Sequence, residues 1–301
     1  MSLQFLADGL LIGAMIGLGA IGVTLTYAIL RFANFAHGEF VAWGAYATLG
    51  IAGAIGAAAP SLAPLAPFSF GWPVLAGGAT AMLLTGGLAL ALDRVLFKRL
   101  RRRGSVIVMV MASFGASMAL RSLLEFVFTS EPAYFTRSIQ IALPLGLGIR
   151  MTPDQMLMLA LTAALVVAMH LVMTRTTIGR SMRAVSENPQ LASVVGIDVD
   201  AVVRATWLIG GALACAAGIM AGIVVQIRPS MGFELLLPFF SAAILGGIGS
   251  VPGAVLGGLI VGLAQSAGVQ FVGAEYRAAI AFLILIAVLL VRPTGLFGTR
   301  G

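Results

Sequence analysis

The stretch from Leu6 to Leu30 reads LADGLLIGAMIGLGAIGVTLTYAIL, with a single charged residue, Asp8, near its start. A helix that crosses a bilayer needs about 20 mostly apolar residues. This stretch is therefore long and apolar enough to cross a membrane once. No positively charged leader precedes it, so we expect it to stay in the protein as the first span and not to be cleaved as a secretory signal.

Apolar stretches of this length recur along the whole sequence. Of its 301 residues, 60% are hydrophobic and only 10% are charged, whereas a soluble domain carries about 25% charged residues. The sequence thus predicts an all-α, polytopic transmembrane helical bundle of about eight spans, forming a single domain over residues 1–301. The further spans are Phe40–Ala59, Trp72–Leu92, Ser105–Phe128, Gln155–Met173, Val202–Val225, Val251–Val269 and Tyr276–Val291.

One apolar run, Pro238–Gly249, is too short to cross a bilayer comfortably, and the sequence that follows is rich in glycine. Irregular backbone at membrane depth is tolerated where it is buried in protein or lines a cavity. In transporters, interrupted segments often mark the path of the solute. We therefore expect a broken or re-entrant segment near residues 238–258. Three of its glycines are candidates for a substrate path or gate: Gly246, Gly247 and Gly249.

The net charge is +7, and the Lys and Arg residues are concentrated in two loops. Because Lys and Arg accumulate in cytoplasmic loops, we assign both loops to the cytoplasm. This distribution explains the basic composition without nucleic-acid binding. The loop between spans three and four carries Arg94, Lys98, Arg99, Arg101, Arg102 and Arg103, and the loop between spans five and six is bordered by Arg175, Arg180, Arg183 and Arg204.

Glycines at four-residue spacing lie within several spans. Small residues at this spacing let membrane helices approach closely. We expect helix packing at these positions, with a clear lane beside a translocation path as the alternative. The glycines are Gly9, Gly13 and Gly17, and the pairs Gly218/Gly222, Gly253/Gly257 and Gly258/Gly262.

Polar residues are sparse, and those between spans one and two are the clearest candidates for function. Ionisable residues at membrane depth usually face a cavity or a partner group. In one interpretation, Asn34 caps the second span and Glu39 occupies its first turn, where the helix dipole favours a carboxylate. In the other, Asn34, His37 and Glu39 belong to a substrate path or gate, with Glu39 pointing away from the other two.

Other polar residues are predicted to support the bundle. We expect Gln155, His170 and Gln265 to form hydrogen bonds between helices, and Arg121 to pair with Glu125 on one helical face. Cys215, the only cysteine, is expected to pack in the interior. An intramembrane hydrolase is disfavoured because His37 and His170 are the only histidines and no H-E-x-x-H motif occurs.

The loop from Arg175 to Arg204 is amphipathic, with apolar residues among charged ones. Pro189 suits the first turn of a helix that Asn188 or Ser186 could cap, and Gly196 would end it. We interpret Pro189–Val195 as a short cytoplasmic docking helix. From the pattern alone, an ordinary interfacial helix is equally consistent.

Four stretches together resemble the LivH-type permeases of branched-chain amino acid ABC importers, the LivH/LivM family, along nearly the whole chain. Their order and spacing make the resemblance specific. The stretches are Asn34-Phe-Ala-His-Gly-Glu39, Gly179-Arg-Ser-Met-Arg-Ala-Val-Ser-Glu187 running on to Gly196-Ile-Asp198, Leu245-Gly-Gly-Ile-Gly-Ser-Val-Pro-Gly-Ala254 and Arg292-Pro-Thr-Gly-Leu-Phe-Gly298.

The resemblance implies a permease subunit in a bacterial inner membrane that works with a paralogous LivM-like permease, two cytoplasmic ATPases and a periplasmic solute-binding protein. Residues 175–204 would then be the coupling loop. The family's E-A-A-x-x-x-G pattern aligns with Gln190–Gly196, which keeps only the second Ala and the Gly. The residues implied in ATPase coupling are Arg183, Glu187, Gln190, Ala192 and Gly196.

No G-x-x-x-x-G-K-[ST] motif occurs, and the only lysine, Lys98, follows a phenylalanine. We therefore expect no cofactor and no ATP hydrolysis in this subunit, with energy supplied by a partner or an ion gradient. The resemblance implies import of branched-chain amino acids or related small polar solutes such as urea, amides or other amino acids. A self-sufficient channel or secondary transporter is the alternative, although ionisable residues that could couple ions are few within the spans.

Overall fold

A computed structural model of the chain describes residues 3–59, 65–101, 105–136, 140–146, 148–292 and 294–297. Within these residues, eight helical stretches are long and apolar enough to cross a membrane. The predicted polytopic helical bundle is confirmed. Six spans are single helices: α1 (Gln4–Leu30), α2 (His37–Ala58), α5 (Val106–Phe128), α6 (Pro153–Arg175), α9 (Val199–Val224) and α11 (Val251–Val272). The third span, Trp72–Arg101, consists of α3 (Trp72–Leu92), a π-helical segment (Asp93–Phe97) and α4 (Lys98–Arg101). The last span consists of a 3₁₀ turn (Ala274–Tyr276) followed by α12 (Arg277–Val291).

Shorter elements connect the spans. A two-stranded antiparallel hairpin, β1 (Leu143–Gly146) and β2 (Ile149–Met151), precedes α6. The helices α7 (Thr177–Glu187) and α8 (Pro189–Val194) lie between α6 and α9, and α10 (Met231–Gly246) lies between α9 and α11.

The glycine stripes bring the central helices into close contact. A Cβ atom on Gly13 would lie 2.7 Å from the Cα of Leu259, and one on Gly258 would lie 2.5 Å from the Cα of Gly17. Larger residues at these positions would push α1 and α11 apart. The packing interpretation is therefore confirmed for this stripe. The same holds for Gly218, whose Cβ would lie 2.1 Å from the carbonyl oxygen of Val41.

The two basic loops lie at the same end of the bundle, as predicted. Lys98 Nζ is 2.7 Å from Asp200 Oδ2, which joins α4 to the start of α9. Arg31, at the end of α1, donates hydrogen bonds to the carbonyl oxygens of Ser186 and Glu187. We call this the basic end. The predicted cluster residues Arg102 and Arg103 lie outside the described residues.

The opposite end holds the connections between α2 and α3 and between α5 and α6. The Asp154 carboxylate at the start of α6 accepts a hydrogen bond of 3.0 Å from the Ser69 backbone N–H. Gln4, at the start of α1, accepts a 2.8 Å hydrogen bond from the Arg150 N–H of the hairpin. α1 therefore runs from the opposite end to the basic end.

The segment expected to be broken near residues 238–258 is two helices joined by a tight turn. The first, α10, begins at Met231, well ahead of the expected Pro238, and ends at Gly246. Pro238 lies inside it, where proline removes one helical hydrogen bond. The actual interruption is the turn at residues 247–250, because Gly247 and Gly249 have φ angles of 99° and 91°, a region that glycine adopts without penalty.

Candidate functional site

The second span begins beside the middle of α1. After α1 ends, the chain turns back and His37, the first residue of α2, places its Nε2 atom 3.2 Å from the carbonyl oxygen of Gly19. Gly19 lies about three turns, or about 16 Å, before the end of α1. The stretch 31–36 therefore passes beside α1 inside the bundle.

His37 is held rigidly in this position. Because a carbonyl oxygen only accepts, its Nε2 atom carries the proton that it donates to Gly19. The ring is 1% exposed and packs edge-on against Phe40 and Phe239. A Cβ on Gly22 would lie 2.5 Å from the His37 ring, so the glycines of α1 make room for it.

Asn34 caps the turn before α2 and not the helix itself. Its Oδ1 atom accepts a 3.1 Å hydrogen bond from the Ala36 N–H, whereas the helix cap residue is Ala36. The Asn34 Nδ2 atom is buried without a hydrogen-bond partner among the described residues. The prediction that Asn34 caps the second span is therefore wrong, because its side chain closes the turn that precedes the helix.

Glu39 lies in the first turn of α2, as predicted, but it also forms an ion pair within the bundle. Its Oε1 atom accepts hydrogen bonds from Ser117 Oγ at 2.9 Å and from Arg121 Nη2 at 3.1 Å. The Arg121 guanidinium lies 4.6 Å from the centre of the Phe233 ring. The predicted pairing of Arg121 with Glu125 is wrong, because α5 packs against α2 and offers Arg121 the fully buried Glu39.

The cluster of Glu39, Arg121 and Phe233 thus joins α2, α5 and α10. A neighbouring contact joins α2 to α10 directly, since a Cβ on Gly232 would lie 2.0 Å from the carbonyl oxygen of Gly38. His37 and Glu39 have separate partners, as expected from their helical positions. The start of α2 is consequently a junction of four helices: α1, α2, α5 and α10.

The predicted path glycines lie at the turn after α10. The Gly249 N–H donates a 2.7 Å hydrogen bond to Thr24 Oγ1 of α1, and a Cβ on Gly246 would lie 2.1 Å from the carbonyl oxygen of Gly253. The C-terminal segment also reaches this turn, because the Leu296 N–H donates to the Leu245 carbonyl at 2.8 Å. Two of the four family-like stretches therefore touch. Pro293 and Gly298 of the last stretch lie outside the described residues.

A cavity of about 530 Å³ opens towards the opposite end, between α1, α9, α10, α11 and the start of α12. Ligand sites typically have volumes of about 300–1,000 Å³. Sequence reasoning missed this cavity, because its walls come from parts of the chain that are far apart in sequence. Its polar lining comprises Gln226, Arg228, Glu234, Gln265, Glu275 and Arg277.

Three other polar residues were predicted to form hydrogen bonds between helices, and the structure supports this prediction for one of them. Gln265 donates a 3.4 Å hydrogen bond to the Arg277 carbonyl, so its prediction as a link between helices is confirmed. Gln155 instead forms a capping box with Thr152 at the start of α6, and His170 is exposed on the side of α6, so these two predictions are wrong. Cys215 is buried, as predicted.

The loop at the basic end contains two short helices. In α7, Met182 and Val185 are each 1% exposed and face the bundle, and Arg183 donates a hydrogen bond to the Met173 carbonyl. In α8, Asn188 Oδ1 accepts hydrogen bonds from the N–H groups of Gln190 and Leu191, both at 3.0 Å. The predicted Asn188 cap is confirmed.

The predicted docking helix Pro189–Val195 is confirmed as a helix that ends one residue earlier, at Val194. Gly196 follows with a φ of 89°, the left-handed conformation that commonly ends helices. Ala192 is 3% exposed and packs inward, whereas Leu191, Val194 and Val195 are 61%, 81% and 69% exposed. Of the residues implied in coupling, Arg183, Glu187, Gln190 and Gly196 are exposed.

Comparison with known proteins finds relatives along nearly the whole chain. A family model described as branched-chain amino acid transport system / permease component matches residues 5–289. The chain is 32% identical to the high-affinity branched-chain amino acid transport system permease protein BraD of Pseudomonas aeruginosa over 305 residues, covering 98% of this chain and 95% of BraD.

Two further relatives extend the comparison. The permease protein LivH of Escherichia coli K12 is 32% identical over 302 residues, covering 98% of this chain and 95% of LivH. A probable LivH of Methanocaldococcus jannaschii is 28% identical over 295 residues, covering 93% of this chain and 87% of the relative. The chain therefore belongs to the branched-chain amino acid transport system permease component family.

Proposed function

We propose that this chain is one pore-forming permease subunit of an ATP-driven importer in the inner membrane of a bacterium, and that it passes branched-chain amino acids or related small polar solutes. The eight spans and the family membership support a role in membrane transport. The names of the relatives BraD and LivH support the choice of solute.

The observation that carries the ATP-driven mechanism is the exposed apolar surface of α8 at the basic end. Leu191 and Val194 of α8, and Val195 directly after it, are apolar side chains with most of their surface uncovered, and the helix is fixed at its start by Asn188. A short amphipathic helix of this kind fits a groove on a partner. The density of Lys and Arg at this end supports its placement in the cytoplasm, where an ATPase would dock.

A rigid connection from α8 to the spans supports a mechanical role. Arg31 at the end of α1 holds the carbonyl groups of Ser186 and Glu187, immediately before α8. The buried side chains of Met182 and Val185 fix α7 against the bundle. Movement of a docked ATPase would therefore be passed to α1.

We further propose that the junction at the start of α2 belongs to the gate. Asn34, His37 and Glu39 lie where four helices meet, and the turn at Gly246, Gly247 and Gly249 attaches α10 to α1. A displacement of α1 would change its contact with the start of α2 and its contact with the turn after α10.

The proposed assembly contains a paralogous second permease subunit, two cytoplasmic ATPases and a periplasmic solute-binding protein. Apolar side chains on the outer faces of α5 and α12, such as Met111, Phe126 and Leu290, are 67%, 86% and 81% exposed, and they would be covered by lipid and by the second permease. ATP would be used by the partner subunits. A self-sufficient channel or carrier is not favoured by the family membership.

Uptake of radiolabelled leucine into proteoliposomes tests this proposal. Vesicles holding the complete assembly should accumulate leucine in their lumen when the binding protein and leucine are outside and ATP is inside. Vesicles holding this chain alone should not. Accumulation by the chain alone would refute the proposal.

A further inference from the structure

The cavity near the opposite end has walls and a rim of different chemistry. Its walls are apolar and come from three helices, α1, α9 and α10: Leu11, Met15, Met220, Met231, Leu235 and Pro238. Its rim carries two residues of each charge, Arg228 and Arg277 against Glu234 and Glu275. Sites for small molecules combine largely apolar walls with a few polar groups that fix the ligand's orientation.

The charged groups of the rim are arranged as a loose pair. Arg228 Nη2 and Glu234 Oε2 are 3.4 Å apart, longer than the about 2.7–2.9 Å of a strong charge-assisted hydrogen bond. Glu234 is oriented by Ser230, whose Oγ donates to its Oε1 at 2.8 Å. The Nε atom of Arg228 is buried and has no hydrogen-bond partner among the described residues. The Arg228 side chain as a whole is 41% exposed and lines the cavity, so its guanidinium group is accessible to a ligand there.

The first turn of α10 adds to this arrangement. Glu234 belongs to that turn, and Arg228 lies just ahead of the helix, which begins at Met231. In membrane transporters, the N-terminal ends of short helices inside the bundle often point at anionic groups of the substrate. A carboxylate near Arg228 would therefore face positive potential both from the Arg228 guanidinium and from the N-terminal end of α10.

We infer that this cavity binds a zwitterionic α-amino acid with a branched aliphatic side chain. The carboxylate pairs with Arg228, the ammonium group pairs with Glu234, and the side chain contacts the wall formed by Leu11, Met15 and Leu235. The cavity would then be the first site in this chain to receive solute from outside, and this inference rests on the proposed function. A zwitterionic lipid headgroup is the competing occupant.

Protection of an introduced thiol tests occupancy without relying on transport. In the Leu235→Cys variant, a small maleimide should alkylate the cavity wall, while Cys215 stays buried. At a leucine concentration about ten times the dissociation constant, occupancy of about 90% should slow alkylation about tenfold. The control is Leu145→Cys on the exposed hairpin, where leucine should have no effect.

Ligand analogues and charge variants check the assigned contacts. Leucinamide, which lacks the carboxylate, and 4-methyl-2-oxopentanoate, which lacks the ammonium group, should protect Leu235→Cys at least tenfold less well than leucine at equal concentration. Adding Arg228→Gln should abolish protection by leucine. Unchanged alkylation of Leu145→Cys and an unchanged melting temperature would exclude misfolding of that variant.

The outcomes separate this inference from the proposed function. Leucine uptake by the complete assembly together with no protection at Leu235→Cys would overturn the cavity assignment alone. Protection without ATP-driven uptake would support the cavity and overturn the proposed transport. Slow alkylation in lipid vesicles that leucine does not change, but that becomes fast in detergent, would identify lipid as the occupant and overturn the inference.

Discussion

The ion pair between Glu39 and Arg121 yields a quantitative prediction about the stability of the bundle. Its carboxylate is fully buried, and its guanidinium side chain is 27% exposed. Replacing Glu39 by Gln would leave Arg121 without a counter-charge inside α5. An unpaired arginine at the centre of a membrane helix costs about 2.5–3.5 kcal/mol on insertion scales. Because Arg121 is partly exposed and also stacks on Phe233, we expect the lower part of that range.

A double-mutant cycle isolates this interaction. Glu39→Gln should lower the free energy of unfolding by about 2.5–3 kcal/mol, whereas Glu39→Gln combined with Arg121→Met should recover at least about half of the loss because no unpaired charge remains. Unfolding can be followed by titration from mild detergent into SDS. Cys215, which is buried and is the only cysteine, supplies a labelling signal for exposure of the core.

The pattern of the cycle decides the outcome. A coupling energy near zero, with the double variant as unstable as the sum of the two single variants, would show that the pair does not connect α2 with α5. Glu125→Gln serves as a matched control, because this residue was the partner expected from sequence alone. It should change stability by less than about 0.5 kcal/mol.

Three further predictions concern packing, the gate and coupling. Gly13→Leu should prevent folding or insertion of the bundle, because even a Cβ there would lie 2.7 Å from the Leu259 Cα. Gly50→Leu is the control and should fold normally, because a Cβ at Gly50 meets nothing within 4 Å. The yield of monodisperse protein in detergent measures both variants. Gly196→Arg should cost about 1–2 kcal/mol in strain at its positive φ and leave the bundle folded but abolish ATP-driven uptake, since it alters the end of α8; normal uptake would remove the coupling role. His37→Ala should reduce uptake less than Gly196→Arg does, and an inactive but fully assembled His37→Ala transporter would reverse that ranking.

Local features of the chain were predictable from sequence. The number of spans follows from the length of each apolar stretch, which is a property of neighbouring residues. The Asn188 cap and the Gly196 stop of α8 follow in the same way, since capping groups act within one turn. The common side of the two basic loops followed from the distribution of Lys and Arg.

Contacts between distant segments were not predictable. Arg121 has Glu125 on its own helix at the favoured spacing, and only the packing of α2 against α5 makes Glu39 its partner. The cavity has the same origin, because Leu11 of α1, Arg228 just before α10 and Arg277 of α12 come together only when these segments are assembled. The short apolar run was expected to begin at Pro238, whereas α10 begins at Met231 and continues through Pro238.

ATP-driven leucine uptake by the complete importer carrying Val194→Glu is the most direct test that a separate motor acts through α8. Val194 is 81% exposed, so a glutamate should leave the permease folded while placing a charge in the apolar contact. We predict that the ATPases no longer co-purify and that uptake falls to background, while Leu145→Glu at the opposite end transports normally. Full uptake by Val194→Glu with the ATPases still bound would contradict the account.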